Sequence, residues 1–424
     1  DCVYLHEIWS LERDVARKLL AFETRAPSWG WFNSPKVLNW AQSLLDINLA
    51  PLQKTAIETA LSSSLTVITG GPGTGKTTLI RSLVTILQTQ FAQFALCSPT
   101  GRAAQRLEDA TGVPAQTLHR LLKYESLTDR FAYDKNHPLP VDLVLIDEVS
   151  MVDLALFSRL LDALPEHCSL VLVGDADQLP SIGPGTILQS LIASRRFPTV
   201  RLTEVFRQQG QSQITLNAQR INAGLMPVVS SGQGRNDFHY LPVQGVPATK
   251  EVLLDLLHRV IPEKYGITDP SQCQVLVPLN KGELGTQKLN LDLQRFFSHE
   301  AQRGFESVQG MEQVFKEGDK VMVTRNDYRK GVFNGDIGFI QKIDSRAQSM
   351  DVHFETKTVR FEFDELDRLS LAYAISIHKA QGSEYRVAIV VIAKEHLSLA
   401  QRHLLYTAVT RGKEQVFLVA DPET

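Results

Sequence analysis

The stretch LTVITGGPGTGKTTLIRSLVTILQ, Leu65–Gln88, decides the fold. Its centre, GGPGTGKT (Gly70–Thr77), fits the phosphate-loop pattern G-x-x-x-x-G-K-[ST] in full. The apolar run LTVIT (Leu65–Thr69) before it reads as a buried strand, and TLIRSLVTILQ (Thr78–Gln88) after it reads as a helix. Strand, loop and helix in that order are the context in which such a loop works. The backbone of Gly71, Pro72, Gly73, Thr74 and Gly75, with the helix N-terminus opening near Thr78, makes an anion site for phosphates. Lys76 can reach the β- and γ-phosphates, and the Thr77 hydroxyl can take a Mg²⁺ position. LIDE (Leu145–Glu148) supplies the acids that the loop lacks. Asp147, at the end of the apolar run VDLVLI (Val141–Ile146), can hold the Mg²⁺ directly or through water. Glu148 can orient or deprotonate the attacking water. These residues imply binding of ATP with Mg²⁺ and its hydrolysis.

Apolar runs at Leu65–Thr69, Phe94–Ser98, Val141–Ile146 and Leu170–Val173 alternate with helix-like stretches. That alternation predicts a parallel sheet with helices on both faces, with chemistry at the carboxyl ends of its strands. The first 48 residues read as a short helical segment. The second half repeats the α/β pattern more loosely, with strands expected at Val275–Leu279, Val387–Ala393 and Val416–Ala420. Between Phe315 and Leu369 the texture changes to short alternating segments divided by Gly- and Asp-rich turns. This predicts a small β-barrel inserted into the second α/β domain. At ~150 residues per domain, 424 residues suit two or three such bodies.

Bulk composition narrows the class further. With 43% hydrophobic and 21% charged residues the chain reads as an ordinary soluble globular protein. The net charge of −3 excludes a strongly basic tail, so any polyanion surface must be a local groove. Cys2, Cys97, Cys168 and Cys273 lie far apart, without zinc-site spacing, and are expected as reduced thiols. Apolar runs are too short to span a membrane. The chain starts at Asp1 without a methionine or a signal-like stretch. It is therefore expected to be part of a longer protein.

Further constellations specify the kind of NTPase. LVGDADQLPSIGPG (Leu172–Gly185) places Gln178 on a loop after a buried strand, where its amide could bond a γ-phosphate or the attacking water. LTEVFRQ (Leu202–Gln208) carries Arg207, and LLYTAVTRGK (Leu404–Lys413) carries Arg411. A guanidinium can stabilise the charge of phosphoryl transfer and sense domain closure.

From about Ala50 to the C-terminus, these blocks together resemble a superfamily 1 (1B) DNA helicase of the RecD-like (exodeoxyribonuclease V alpha-subunit-like) family. LAPLQKTA (Leu49–Ala56) is similar to its Q motif and GGPGTGKT to motif I. CSPTGRAAQRL (Cys97–Leu107) resembles motif Ia, and TLHRLL (Thr117–Leu122) the next DNA-contacting segment. LIDEVSMVD (Leu145–Asp153) resembles motif II, VGDADQLPSIGPG motif III and LTEVFRQ motif IV. SIHKAQGSEYR (Ser376–Arg386) resembles motif V, and LYTAVTRGK motif VI. The wording INAGLMP (Ile221–Pro227) also points to the RecD-like group.

The resemblance implies two RecA-like P-loop NTPase domains with ATP between them, and an SH3-like β-barrel insertion in the second. The implied boundaries are 1–48 for the helical segment (a remnant of a larger N-terminal region) and 49–198 for the first domain. The second domain takes 199–314 and 370–424, and the insertion 315–369. A strand-separating hairpin is expected near 123–140. Gln53 is expected to read the adenine edge, with Gly382 and Glu384 near the ribose and phosphates. Gln178, Arg207 and Arg411 are expected to couple the γ-phosphate to closure. For DNA, the carry-over falls on Pro99, Thr100, Arg102, Thr117, His119, His378 and Gln381. In the insertion, Asn334 is offered with Arg325, Arg329 and Lys330. Such groups suit a sugar-phosphate track, which positions without specifying sequence.

The expected activity is 5′ to 3′ translocation on single-stranded DNA with unwinding of tailed duplexes, in DNA repair or recombination. The expected location is the bacterial cytosol or nucleoid. The alternative is a DNA-stimulated motor subunit of a larger nuclease or conjugative relaxase complex, without strand separation of its own. Partner subunits are expected in either case, and no nuclease constellation is visible.

Overall fold

Strand runs that are apolar at every position are stable only in a sheet covered on both faces. The computed structural model arranges them so. It describes residues 5–27, 34–89, 93–125, 128–205, 212–228, 236–300, 306–310, 313–327, 329–355 and 357–423. The chain divides into two compact units, Asp1–Gln209 and Gly210–Thr424.

In the first unit, β1 (Leu65–Gly70), β2 (Phe94–Ser98) and β3 (Ala115–Thr117) are followed by a ribbon, β4 (Tyr124–Glu125) and β5 (Arg130–Phe131). β6 (Leu143–Ile146), β7 (Ser169–Gly174) and β8 (Thr199–Leu202) complete the unit. The six main strands are all parallel, in the order β3-β2-β6-β7-β1-β8. Alternate residues feed two cores. Leu65, Val67, Val144, Ile146, Leu170 and Leu172 face one side, and Ile68, Leu143, Leu145, Val171 and Val173 the other. Each such side chain taken from water contributes about 1.5–3 kcal/mol, which explains why so few polar residues are tolerated along these strands.

Two expected boundaries move. Thr199–Leu202 pairs with β1, so the first unit runs past the expected limit at 198. The N-terminal helices are also part of it, not a separate segment. Val15, Leu19 and Phe22 enter one core, and Leu38 and Ala41 the other.

The second unit holds a five-stranded parallel sheet. Its strands are β9 (Phe238–Pro242), β10 (Cys273–Val277), then β18 (Ala374–Ser376), β19 (Tyr385–Ile392) and β20 (Gly412–Ala420), in the order β18-β10-β19-β20-β9. The intervening strands form the insertion. A ribbon of β11 (Ser307–Gln309) and β12 (Val314–Lys316) leads into β13 (Lys320–Val323), β14 (Ile337–Asp344), β15 (Ser349–Phe354), β16 (Lys357–Glu362) and β17 (Leu369–Leu371). The last five make an antiparallel sheet ordered β16-β15-β14-β13-β17 around Val321, Ile340, Met350, Val352 and Phe361. This sheet ends at Leu371, slightly beyond the expected 369. Asn290, on the helix Thr286–Glu300, fastens the neck. Its amide donates to the Leu371 and Ala374 carbonyls (3.0 and 2.9 Å) and accepts from the Ala374 N–H at 2.8 Å. Among the described residues no helix is long and apolar enough to cross a membrane.

Candidate nucleotide site and nucleic-acid groove

The phosphate loop leaves β1 at Gly70, where a Cβ would lie 2.7 Å from Thr74 Oγ1 and 2.9 Å from Leu202 Cβ. Gly73 and Gly75 take φ of 74° and 77°, which glycine adopts without the strain of a side chain. The helix Lys76–Gln88 begins with Gly75 as its N-cap and no side-chain cap. Its first N–H groups therefore remain for an anion. Lys76 Nζ donates to the Gly70 and Gly71 carbonyls at 2.6 and 3.0 Å, and Thr74 Oγ1 donates to the Gly71 carbonyl at 2.8 Å. The ammonium is thus already held over the loop. Thr77 is exposed and Thr78 half-buried at the helix start.

Asp147 and Glu148 follow β6 directly. Burial, then the Glu148 carboxylate, push the Asp147 carboxyl up to about 6, against the pull of Lys76. Its Oδ1 accepts from the Glu148 N–H at 2.9 Å. Glu148 sits at φ 56°, a conformation that non-glycine residues rarely adopt. Its Oε2 is buried with no hydrogen-bond partner among the described residues. An unpartnered carboxylate oxygen beside a phosphate loop is what a water-activating base requires.

After β7, Gln178 is 3% exposed. Its Nε2 donates to Asp175 Oδ2 at 3.2 Å, while its Oε1 has no partner among the described residues. The Ala176 N–H donates to Thr69 Oγ1 at 3.2 Å, which ties this loop to the strand that feeds the phosphate loop. Two further buried hydroxyls, Ser98 Oγ and Ser150 Oγ, lack partners in the same way. Both lie inside motifs quoted above, Ser98 in Cys97–Leu107 and Ser150 in Leu145–Asp153, but residue type alone does not show that a hydroxyl is unpartnered.

The site fits a hard divalent cation. Asp147 and Thr77 offer oxygen only, and burial with the neighbouring Glu148 raises the proton affinity of Asp147, which a cation would offset. Among the described residues there is no group of three or more His, Cys, Asp or Glu that could hold a metal.

Gln53 is 4% exposed and points inward. Its Nε2 donates to the Thr74 and Gly75 carbonyls at 3.2 and 3.4 Å, and its Oε1 accepts from the Ala50 N–H at 3.0 Å.

In the second unit, Arg411 is 3% exposed. Its guanidinium donates to the Thr407 and Ser383 carbonyls and to Thr410 Oγ1, at 3.0, 3.1 and 3.2 Å. All three acceptors are neutral. Gly382 has φ 70°, and Glu384 pairs with Lys413 at 3.4 Å. Arg207 lies outside the described residues.

Among the expected DNA contacts of the first unit, Thr100 and Thr117 are helix N-caps. Their hydroxyls accept from the Ala103 and Arg120 N–H groups at 3.3 and 3.2 Å. Pro99 and Arg102 are half-buried at the same strand end. His119 packs against the ribbon, with its ring 5.4 Å from Tyr124 and 6.1 Å from Phe131. Burial holds its imidazole below the usual range.

The second unit carries a groove of about 460 Å³ of mixed character between its sheet and the insertion, with Thr324, Arg325, Asp367 and Lys379 among its polar lining and Phe315 and Met322 among its apolar lining. Exposed Asn334 comes within 3.5 Å of Lys379 Nζ through its Oδ1. His378 is half-buried, with its imidazole pushed down by burial, and Gln381 is buried. Arg325 is engaged by Asp367 at 3.3 Å, and Lys330 is paired with Glu365. The groove therefore adds Lys379 and Thr324 to the sequence-derived set.

Comparison with known proteins agrees with this architecture. Family models match at residues 53–184 (AAA domain), 289–354 (ATP-dependent RecD-like DNA helicase SH3 domain) and 371–419 (UvrD-like helicase C-terminal domain). The chain is 33% identical over 416 residues to the ATP-dependent RecD2 DNA helicase of Deinococcus radiodurans. That match takes in 98% of this chain but 54% of the relative, so the chain spans about half of that protein's length. It is 30% identical to the RecBCD enzyme subunit RecD of Mycolicibacterium smegmatis, covering 99% of this chain and 78% of the relative. The Mycobacterium tuberculosis RecD subunit is 31% identical, with 98% and 76% covered.

In structure, the fold is similar to Pif1 helicase from Bacteroides in complex with ADP-AlF3 and ssDNA (TM-score 0.55, 20% identity, 89% of this chain and 93% of that one). It is also similar to Pif1 helicase from Candida albicans (TM-score 0.54, 19% identity, 89% and 94%). On the strength of its RecD relatives and its own motifs, the chain belongs to the RecD-like family of superfamily 1 helicases.

Proposed function

We propose that this chain is an ATP-dependent DNA helicase that moves 5′ to 3′ along single-stranded DNA and separates tailed duplexes in repair or recombination. The observation that carries the reading is Glu148, a half-buried residue at positive φ whose buried Oε2 has no partner among the described residues, directly after the cation-suited Asp147. In the cycle, Lys76 exchanges the Gly70 and Gly71 carbonyls for the β- and γ-phosphates. Thr77 and Asp147 would hold Mg²⁺, which would supply charge neutralisation. Glu148 takes a proton from water as the oxygen bonds to the γ-phosphorus, the bond to the ADP oxygen breaks, and orthophosphate departs. Gln178 Oε1 orients that water. Arg207 and Arg411 offset the charge that develops.

For the nucleic acid, Pro99, Thr100, Arg102, Thr117 and His119 of the first unit hold sugar and phosphate. So do Asn334, His378 and Gln381 of the second, with Lys379. Contacts of this kind make binding steeply salt-dependent and nearly indifferent to sequence. The β4–β5 ribbon is assigned to strand separation.

A second reading, a motor subunit that does not separate strands by itself, is favoured by one observation. Relatives with high coverage are named as subunits of the RecBCD enzyme. Short duplexes with a 5′ or a 3′ single-stranded tail, incubated with ATP, discriminate the two. Unwinding of the 5′-tailed duplex alone is the expected result. Unwinding of neither, with DNA-stimulated ATP hydrolysis retained, would establish the second reading.

A further inference from the structure

Alternation along two neighbouring strands brings a hydroxyl beside the cation-suited carboxylate. In β2, Ala95 and Cys97 enter one core and Leu96 the other. In β6, Val144 and Ile146 enter the first core, and Leu143 and Leu145 the second. Continued by one residue, the period of two sends Ser98 and Asp147 to the second face. The helix Lys76–Gln88 covers that face with Leu79, Ile80 and Leu83. The strands are parallel and in register, with Leu96 opposite Leu145 and Cys97 opposite Ile146. The Asp147 N–H extends this ladder by donating to the Cys97 carbonyl at 2.9 Å, so Ser98 stands opposite Asp147. Neighbours of this kind sit on backbones about 5 Å apart.

Ser98 is 0% exposed, and its Oγ has no hydrogen-bond partner among the described residues. A buried hydroxyl without a partner lowers stability, and alanine would fill nearly the same space without that penalty. The chemistry on this face is that of a Mg²⁺ site, with Asp147 beside the hydroxyl and Thr77 in the first turn of the covering helix. Mg²⁺ dehydrates reluctantly, and it keeps several waters when one or two carboxylates bind it. Each such water has protons to donate. A hydroxyl, which accepts as well as donates, can take one of them.

We propose that Ser98 is a positioning residue for the cation, its hydroxyl holding a water of the Mg²⁺ shell beside Asp147. The proposal rests on the nucleotide-site reading above and deepens it. Two consequences follow together. The hydroxyl lowers the stability of the ligand-free fold, and it raises the affinity for the cation. A hydroxyl that served only the fold would raise stability and leave the cation alone.

Ser98→Ala separates these roles, with Ser169→Ala as the control. Ser169 is also 0% exposed, and its Oγ also lacks a partner among the described residues. It lies opposite Leu143, about 13 Å along the strand from Asp147. Binding of the non-hydrolysable ATP analogue AMP-PNP is measured by calorimetry over a series of Mg²⁺ concentrations. Melting temperatures are recorded without nucleotide. In Ser98→Ala the Mg²⁺ concentration that gives half of the gain in affinity should rise about fivefold, the size of one hydrogen bond. Affinity without Mg²⁺ should be unchanged, and the melting temperature should rise by about 2 °C. Ser169→Ala should share the rise in melting temperature but keep the original Mg²⁺ requirement.

An unchanged Mg²⁺ requirement in Ser98→Ala would overturn the proposal while leaving the nucleotide site standing. An equal shift in Ser169→Ala would overturn it too. So would a lower melting temperature or a failure to fold in Ser98→Ala, because the hydroxyl would then be spent on the fold. If the unaltered protein binds the analogue at no Mg²⁺ concentration, the nucleotide-site reading itself fails and the proposal falls with it.

Discussion

In the first unit, Glu148 Oε2 and Gln178 Oε1 are buried acceptors with no partner among the described residues. In the second, Arg411 is a buried cation that donates to three neutral oxygens, with no carboxylate of the described residues within ion-pair distance. Among the described residues, the first unit leaves these two acceptors without donors, and the second holds a cation that no carboxylate neutralises. Burying either kind of group without compensation is costly. The first unit suits water and a cation, and the second suits an anion. Strain is divided in the same sense, because Glu148 is held in the left-handed region while Arg411 is anchored in an ordinary hydrogen-bonded turn.

If the first unit carries the chemistry, Lys76→Ala should have the largest effect. Hydrolysis should fall by roughly 10³-fold, as expected for losing a cation aimed at developing charge. Phosphate release with and without single-stranded DNA measures this, and retained DNA-stimulated turnover would break the comparison at its root. Glu148→Gln comes next. A loss of about 10²–10³ in kcat is expected, in the range of a missing general base, with nucleotide affinity kept near that of the unaltered protein. An equal loss of affinity would mean that Glu148 serves the cation and not the water.

Arg411→Lys tests the other side. A lysine cannot reproduce the fork that reaches the Thr407 and Ser383 carbonyls, so folding should weaken by about 1–3 kcal/mol as buried acceptors lose donors. Denaturant unfolding of the ligand-free protein reads this, and an unchanged midpoint would show that the guanidinium is not structurally committed.

The smallest effect concerns pH. Burial lowers the His119 pKa, so the folded state resists a proton that the unfolded chain accepts near pH 6.5. The stability from the neutral ring is complete above that pH and is lost as pH falls through it. Melting temperature should drop between about pH 7.5 and 5.5, and drop less in His119→Gln.

Much of this was legible in the sequence because long apolar runs leave little choice. The strand expected at Leu65–Thr69 is observed at Leu65–Gly70, and that at Leu170–Val173 at Ser169–Gly174. The helix after the phosphate loop was expected from Thr78 and begins at Lys76. The short strands were not legible. AQT (Ala115–Thr117) and TVRL (Thr199–Leu202) are strands because neighbouring strands supply their hydrogen-bond partners, and three or four residues carry no periodicity of their own. The same limit applies to the candidate site. Residue types announced Asp147, Glu148 and Gln178, but whether an amide is free or spent is a property of packing. Gln53 and Gln178 look alike in the sequence, yet one is tied to loop carbonyls and the other keeps an open oxygen.

The insertion has a consequence for how the second unit assembles. β10 and β18 are neighbours in one sheet, although the Gln274 amide and the Tyr373 carbonyl that join them lie 99 residues apart. Closing a flexible loop of that length is entropically unfavourable and slow. β13 pairs with β17, so an insertion that has already folded delivers its two ends side by side and shortens the effective loop. The insertion's antiparallel sheet is thus expected to act as a folding clamp for the parallel sheet that contains it: its core should gain hydrogen-exchange protection before β10 and β18 do, and a substitution that unfolds it should slow the whole second unit.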